Sequence, residues 1–249
     1  MRLGTLVSPA TFRQPSLLAN AAATVDHISG GRIELGLGAG WMEREHRAYG
    51  FPFPETSVRV EQFAEQLEIV HRLWTEEQLD FRGRHYTLED APAQPKPVQR
   101  PRPPILVGGS GKRATAEPAA RFADEYNAPF VSPDDYATVR QNVLRACERV
   151  GRDPKTMRFS TMTTCVIGSS HDEAMEQARR LYTRVPRSVD FDAWLEGYTH
   201  RSLIGSVDEV AERLREYERV GCKRAMLQHL LHDDLEPVRL IGRLGKQLV

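Results

Sequence analysis

Short apolar runs that close on glycine alternate with helix-period segments along most of this chain, and that alternation restricts the fold more than any other feature. Leu3 to Val7 reads as a first strand. Pro15 to Ile28 reads as a helix, with Leu17, Leu18, Ala21, Ala22, Val25 and Ile28 on one broad face and Gly30-Gly31 as its left-handed stop. Ile33 to Leu37 is a second strand, running into Gly38-Ala39-Gly40. Val60, Phe63, Leu67, Val70 and Trp74 place a long helix from about Ser57 to Trp74. Ile105-Leu106-Val107 is a buried strand closing on Gly108-Gly109-Ser110-Gly111, followed by an alanine-rich helix from Ala114 to Ala123. Glu125 to Val131 and Phe159 to Ile167 are further strands. Ser132-Pro133-Asp134-Asp135 opens a helix that reaches Val150, with a cap, a first-turn proline and two acids at its positive end. Ser170 with Glu173, and Ser206 with Glu209, have capping-box spacing for helices reaching about Thr183 and Val220. Residues 185–205 between them read as irregular. Arg224 to Leu230 is the last strand, and Leu235, Val238, Ile241, Leu244 and Leu248 line a closing helix.

Six strands separated by helices need crossovers of one hand, and such crossovers build parallel sheets. The α/β class follows, with two architectures: an open doubly wound sheet or a (β/α) barrel. Six strands suit the open sheet better than a complete eight-unit barrel, and the pattern alone leaves both standing. Residues 80–104 break the rhythm. Phe81 to Tyr86 reads as a hairpin around Gly83, and Pro92, Pro95, Pro97, Pro101, Pro103 and Pro104 exclude both a helix and a central strand. The alternation resumes directly afterwards, so this stretch reads as a surface insertion in one domain covering residues 1–249, with a domain linker as the competing reading.

Composition narrows the function. The 34 basic and 34 acidic residues cancel, which argues against a nucleic-acid partner. No run of about 18 apolar residues offers a membrane span, and Met1 to Val7 lacks the apolar core of a signal peptide. Cys147, Cys165 and Cys222 are too few and too scattered for a disulfide framework, so a reducing cytoplasmic setting is expected.

In either architecture ligands gather at the C-terminal ends of the strands. Two such ends are rich in glycine: Gly36-Leu37-Gly38-Ala39-Gly40-Trp41 and Gly108-Gly109-Ser110-Gly111-Lys112-Arg113, the second opening onto a helix. Glycine lets a ligand approach the backbone, and unpaired amides at a helix start attract an anion. A phosphate cradle is the functional reading, with Lys112 or Arg113 as neutralising cation; two tight turns are the plain one. Neither loop is a Walker A sequence or a complete dinucleotide fingerprint. Trp41 suits stacking on a planar ring or plugging the rim of the core. Glu45-His46 could do acid–base work, although a histidine beside a charge run usually lies on a solvated face. His229, near the last strand end, reads as a satisfied rim or core histidine. No metal-ligand cluster or nucleophile elbow is present.

Taken together, several segments carry a resemblance. In order they are Gly4-Thr5-Leu6-Val7, Thr11-Phe12-Arg13-x-Pro15, Ala23-Thr24-Val25-Asp26-x-Ile28-Ser29-Gly30-Gly31-Arg32, Glu34 to Trp41, Glu45 to Gly50, Gly83 to Tyr86, Pro95-Lys96-Pro97 and Pro104 to Gly111. The chain resembles the bacterial luciferase-like flavin monooxygenase superfamily over its whole length, and is most similar to the branch that uses the deazaflavin coenzyme F-420. That resemblance implies a (β/α)8 barrel whose third strand matches Leu3 to Val7, so that the first two β/α units are not represented here. It implies a non-proline cis peptide at Leu6–Val7 behind the flavin ring, ring and ribityl contacts at Gly38, Ala39, Gly40 and Trp41, a phosphate loop at Gly108, Gly109, Ser110 and Gly111, and a polar contact at Asn127. It further implies hydride transfer between coenzyme F-420 and a small organic substrate, with an FMN-dependent monooxygenase or a non-catalytic remnant as alternatives, and a homodimer.

Overall fold

A computed structural model of the protein describes residues 1–184 and 188–248. They gather into two compact units, one of Met1–Asn127 with Gln141–Arg158, the other of Ala128–Arg140 with Phe159–Val249.

In the first unit the expected strand Leu3 to Val7 is two short ones, β1 (Leu3–Gly4) and β2 (Ser8–Pro9), both parallel to β3 (Ile33–Gly38). Gly4 pairs with Glu34 but Ser8 with Leu37, so the edge strand carries one residue more than β3 between the two pairings. An extra residue of that kind interrupts a ladder. Thr5 bridges the interruption: its hydroxyl donates to the Gly36 carbonyl at 2.8 Å and accepts the Gly36 amide at 3.1 Å. The Leu6–Val7 peptide within it is cis.

The first helix, α1 (Pro15–Ser29), starts on its proline and stops at Gly30, whose φ of 62° is the left-handed cap expected of glycine. Its buried face differs from the expected one. Leu18, Ala19, Ala22 and Ala23 are inside, whereas Leu17 and Ile28 are 67% and 80% exposed and Val25 is exposed too. The helix is turned so that Asp26 is buried, where its carboxylate accepts the Gln99 amide at 2.9 Å and the Gln99 side chain at 2.7 Å. A satisfied carboxylate can be buried; an unpaired one could not.

Next come α2 (Glu43–Tyr49) and the long α3 (Thr56–Thr75), which buries Phe63, Leu67, Val70 and Trp74 as its spacing requires. The β4 (Gln78–Arg82) and β5 (Thr87–Pro92) hairpin is a separate antiparallel pair. Its tip is held by the Glu65 carboxylate, which accepts the amides of Arg84, His85 and Tyr86. On the far side of β3 lie β6 (Ile105–Gly108) and then β7 (Glu125–Pro129), with α4 (Arg113–Phe122) between them in sequence. The fully buried Ala116, Ala119 and Ala120 let α4 pack closely on α3.

The second unit takes in the end of β7, which stops two residues before the expected Val131, and the first turns of α5 (Pro133–Arg149). Ser132 caps α5 as expected, accepting the Asp135 amide at 3.2 Å. The remaining elements are β8 (Arg158–Gly168), α6 (His171–Thr183), α7 (Phe191–Thr199), β9 (Leu203–Ser206), α8 (Val207–Arg219), β10 (Arg224–Gln228) and α9 (Glu236–Leu248). Parallel pairing joins β8 to β10 from Ser160–Arg224 onward and to β9 from Cys165–Leu203 onward. The segment 185–205 is therefore not irregular where it is described; residues 185–187 lie outside the described residues. Asp190 caps α7 through the Ala193 amide at 2.9 Å, and Phe191, Trp194, Leu195 and Tyr198 face a cluster containing Val166, Leu181 and Leu231. Among the described residues, no helix is long and apolar enough to cross a membrane.

Candidate functional site

The candidate residues meet in the first unit at the C-terminal ends of its parallel strands, where the register sets Pro9 opposite Gly38 and Gly108 opposite Asn127. Val7 lies across this edge. A Cβ built on Gly38 would stand 2.8 Å from Val7 Cγ2, and one on Gly36 would stand 2.0 Å from the Thr5 carbonyl oxygen. Neither position admits a side chain, so the glycines of β3 are explained by the close passage of Thr5–Val7 over its face. Gly108 approaches the same valine, with its notional Cβ 3.2 Å from Cγ1.

Beyond β3, Gly40 is left-handed (φ 83°) and the Trp41 side chain is 77% exposed, so Trp41 is not a core plug. The segment carrying it is nevertheless firmly held. Arg59, almost fully buried on α3, donates from Nε to the Gly40 carbonyl at 3.2 Å, from Nη2 to Thr56 Oγ1 at 3.1 Å and from Nη1 to the Pro54 carbonyl, with its guanidinium 3.9 Å from the Phe53 ring centroid. His46 completes the clamp. It is 0% exposed, which corrects the expectation of a solvated face. Its Nδ1 lies 2.8 Å from the Met42 carbonyl, which can only accept, so Nδ1 donates, and Nε2 shares a hydrogen bond with the Thr11 hydroxyl at 2.6 Å. Phe12 and Phe53 meet the ring edge-on at 4.6 and 4.7 Å. With both nitrogens engaged, His46 is a brace between the loops after β2 and β3, and the exposed Glu45 makes no acid–base pair with it.

The second glycine loop differs from a uniform cradle. The Gly109 amide donates to the Asn127 carbonyl at 3.0 Å, and the Gly111 amide donates to the Tyr126 hydroxyl at 2.9 Å. Those two donors are engaged within the protein. The amides of Ser110, Lys112, Arg113 and Ala114 have no partner among the described residues, and all four residues are exposed at the start of α4. The Lys112 side chain is exposed beside them without an ion pair among the described residues, while Arg113 is tied to Glu117 at 2.8 Å. A concentration of unpaired donors at the positive end of a ten-residue helix, next to a lysine, suits a phosphate.

Tyr126 was not among the sequence candidates, yet it shapes this loop. Fully buried, with its phenol pushed above the ordinary range by burial, it leaves no room for a Cβ at Gly109, which would fall 2.6 Å from the hydroxyl. Strand alternation points Tyr126 and the buried Asn127 to opposite faces, and only the polar one was singled out. Arg59 and Thr11 were likewise missed, because nothing local links them to the glycine loops. In the second unit Phe130, just past the end of β7, holds φ at 52°, an unusual conformation for an aromatic residue of the kind found at functional sites. His229 is a partly buried rim histidine satisfied by the Asp234 carbonyl at 2.9 Å, as expected.

Comparison with known proteins gives three consistent results. A sequence profile described as luciferase-like monooxygenase matches residues 1–224. The FMNH(2)-dependent dimethylsulfone monooxygenase of Pseudomonas putida is 38% identical over 112 residues, which are 45% of this chain and 31% of that protein. The pyrimidine monooxygenase RutA of Stutzerimonas stutzeri is 29% identical over 209 residues, covering 80% of this chain and 55% of that protein. The chain thus spans about half, or less, of the length of these curated relatives. Among solved structures, an F420-dependent secondary alcohol dehydrogenase in complex with an F420-acetone adduct matches 100% of this chain and 80% of its own with a TM-score of 0.84 and 18% identity. At that identity the likeness is one of fold, and it bears out an α/β architecture of parallel strands of the (β/α)8 barrel type.

Proposed function

The chain belongs to the luciferase-like monooxygenase family, and on that footing we propose that it holds reduced FMN at the strand ends of its first unit and serves the oxygenation of a small organic molecule. The observation that carries the site is the set of unpaired amides at Ser110, Lys112, Arg113 and Ala114 beside the Lys112 ammonium. Those groups would receive the flavin phosphate. Gly38, Ala39, Gly40 and the exposed Trp41 would line the ring and ribityl chain, with Leu6, Val7 and Gly108 forming the floor and Asn127 offering a polar edge. Gly109 and Gly111 act by shaping the loop.

Reduced FMN, when bound, supplies two electrons to dioxygen, so that one oxygen atom enters the substrate and the other leaves as water. The chain's part is to bind, orient and exclude water. The Arg59 and His46 clamp keeps the Trp41 segment in one position. Val7, seated on Gly36, Gly38 and Gly108, gives the ring an apolar backing.

The choice of cofactor rests on the relatives. The protein named for FMNH(2) is 38% identical over 112 residues of this chain, whereas the F420-linked likeness stands at 18% and speaks for fold. The deazaflavin reading expected from the sequence therefore ranks second. Anaerobic titration with FMN, reduced FMN and coenzyme F-420, followed by exposure of each complex to oxygen, tests the order. Saturable binding of reduced FMN that is consumed by oxygen supports the proposal. Binding of the deazaflavin alone would replace it with hydride transfer, and binding of neither would leave a non-catalytic remnant.

A further inference from the structure

We propose that the opposite end of the same strands, in the first unit, carries a second binding site for a phosphate-bearing anion. A depression of about 350 Å³ opens there, lined by Arg2, Arg100, Arg102 and Arg158 together with Glu34 and Asp124. Four arginines line it against two carboxylates. The whole chain has no net charge, so this excess is a local feature of the fold.

The roles of the four arginines differ. Arg102 is a fixed wall: it donates to Asp124 at 2.6 Å, to the Phe122 carbonyl at 2.8 Å, to the Pro103 carbonyl at 2.9 Å and to His71 Nδ1 at 3.0 Å. Arg2 is held by Glu34 at 2.8 Å and by Gln99 at 2.6 Å. Gln99 is itself anchored by the buried Asp26. Each of these two cations is paired with a carboxylate.

Arg100 and Arg158 are not balanced to the same degree. Arg100 gives Nη1 to the Pro97 carbonyl, and its Nε and Nη2 have no partner among the described residues. Arg158 reaches Glu125 only at 4.0 Å, beyond hydrogen-bonding distance, with its side chain 56% exposed. The lining thus sets four arginines against two carboxylates, Glu34 and Asp124, with Glu125 4.0 Å from Arg158. Like charges gathered in one hollow repel, and an anion relieves that repulsion. Guanidinium forks match phosphate oxygens in pairs, and the unpartnered nitrogens of Arg100 and Arg158 supply such forks beside walls that do not have to move. The hollow is larger than inorganic phosphate, which leaves room for a small organic group on the ester.

The proposal is independent of the flavin reading, because its residues lie at the other end of the strands from Gly108–Gly111. It is tested by calorimetric titration of the chain with pyrophosphate at fixed ionic strength, with and without saturating FMN, in the unaltered protein and in the Arg100→Gln/Arg158→Gln variant. Saturable binding unaffected by FMN and weakened about tenfold or more in the variant is expected, the loss matching one or more charge-assisted hydrogen bonds. Equal affinity in the variant, competition by FMN, or no binding to the unaltered protein would each overturn it. Should the double variant not fold, Arg158→Gln alone, altering an exposed side chain, makes the same comparison.

Discussion

At the scale of single residues, Tyr126 and His71 show how buried polar groups set local behaviour. Tyr126 is the acceptor for the Gly111 amide. Tyr126→Phe removes that acceptor without opening a cavity and leaves a buried donor unpaired, at a cost of about 1–3 kcal/mol. Urea unfolding is expected to show that loss, together with FMN affinity lower by on the order of tenfold as the loop relaxes. His71, on α3, accepts from Arg102 Nε at 3.0 Å. Burial first, and the Arg102 charge second, hold its ring below the ordinary histidine range. The unfolded chain therefore binds a proton before the folded one as pH falls. Stability is retained above about pH 6.5, declines as pH drops from there to the folded-state value, and is level below it. Urea midpoints at pH 7.5 and 5.5 are expected to differ more for the unaltered protein than for His71→Gln, which keeps an acceptor but does not titrate. Equal differences in the two proteins would remove His71 as a source of the slope.

At the scale of elements, helix ends were the most readable part of the sequence. Ser206 and Glu209 form a true capping box: the serine accepts the Glu209 amide, and the Glu209 carboxylate accepts the Ser206 amide at 2.7 Å. Ser206→Ala is expected to cost about 1 kcal/mol in thermal or urea unfolding. Ser170 accepts the Glu173 amide, but Glu173 turns to Ser169 instead of closing the box. The spacing foretold the cap and not the return bond, because neighbouring amides compete for one carboxylate. The alanines of α4 and the hairpin at Gly83 were legible because each answers to a local rule of space or turn geometry, whereas the glycines of β3, read as room for a ligand, answer to the distant Thr5–Val7 segment that passes over them. The face of α1 was not, since it depends on Gln99 arriving 73 residues later to satisfy Asp26. The interruption between β1 and β2 was hidden for a similar reason: the single apolar run Leu3 to Val7 carries no mark of the extra residue that Thr5 bridges. In α7 a capping aspartate and a period of 3.6 were both present, and the segment's lack of a strong apolar run concealed them.

At the scale of the molecule, the candidate site is assembled from residues spread between Leu6 and Asn127; its glycine loops and Trp41 stood out from the residues themselves, and Leu6, Val7 and Asn127 only through the resemblance. Arg59, Thr11 and Tyr126 became visible through contacts that cross many residues, which sequence spacing does not encode. On the proposed function, a flavin would be held chiefly by its phosphate, at the unpaired amides that open α4. Fluorescence titration of the protein with FMN and with riboflavin, which has the same ring and side chain but no phosphate, measures this directly. FMN is expected to bind tighter by about tenfold or more, with Lys112→Ala narrowing the gap and leaving riboflavin unchanged. Equal affinity for the two flavins would contradict it.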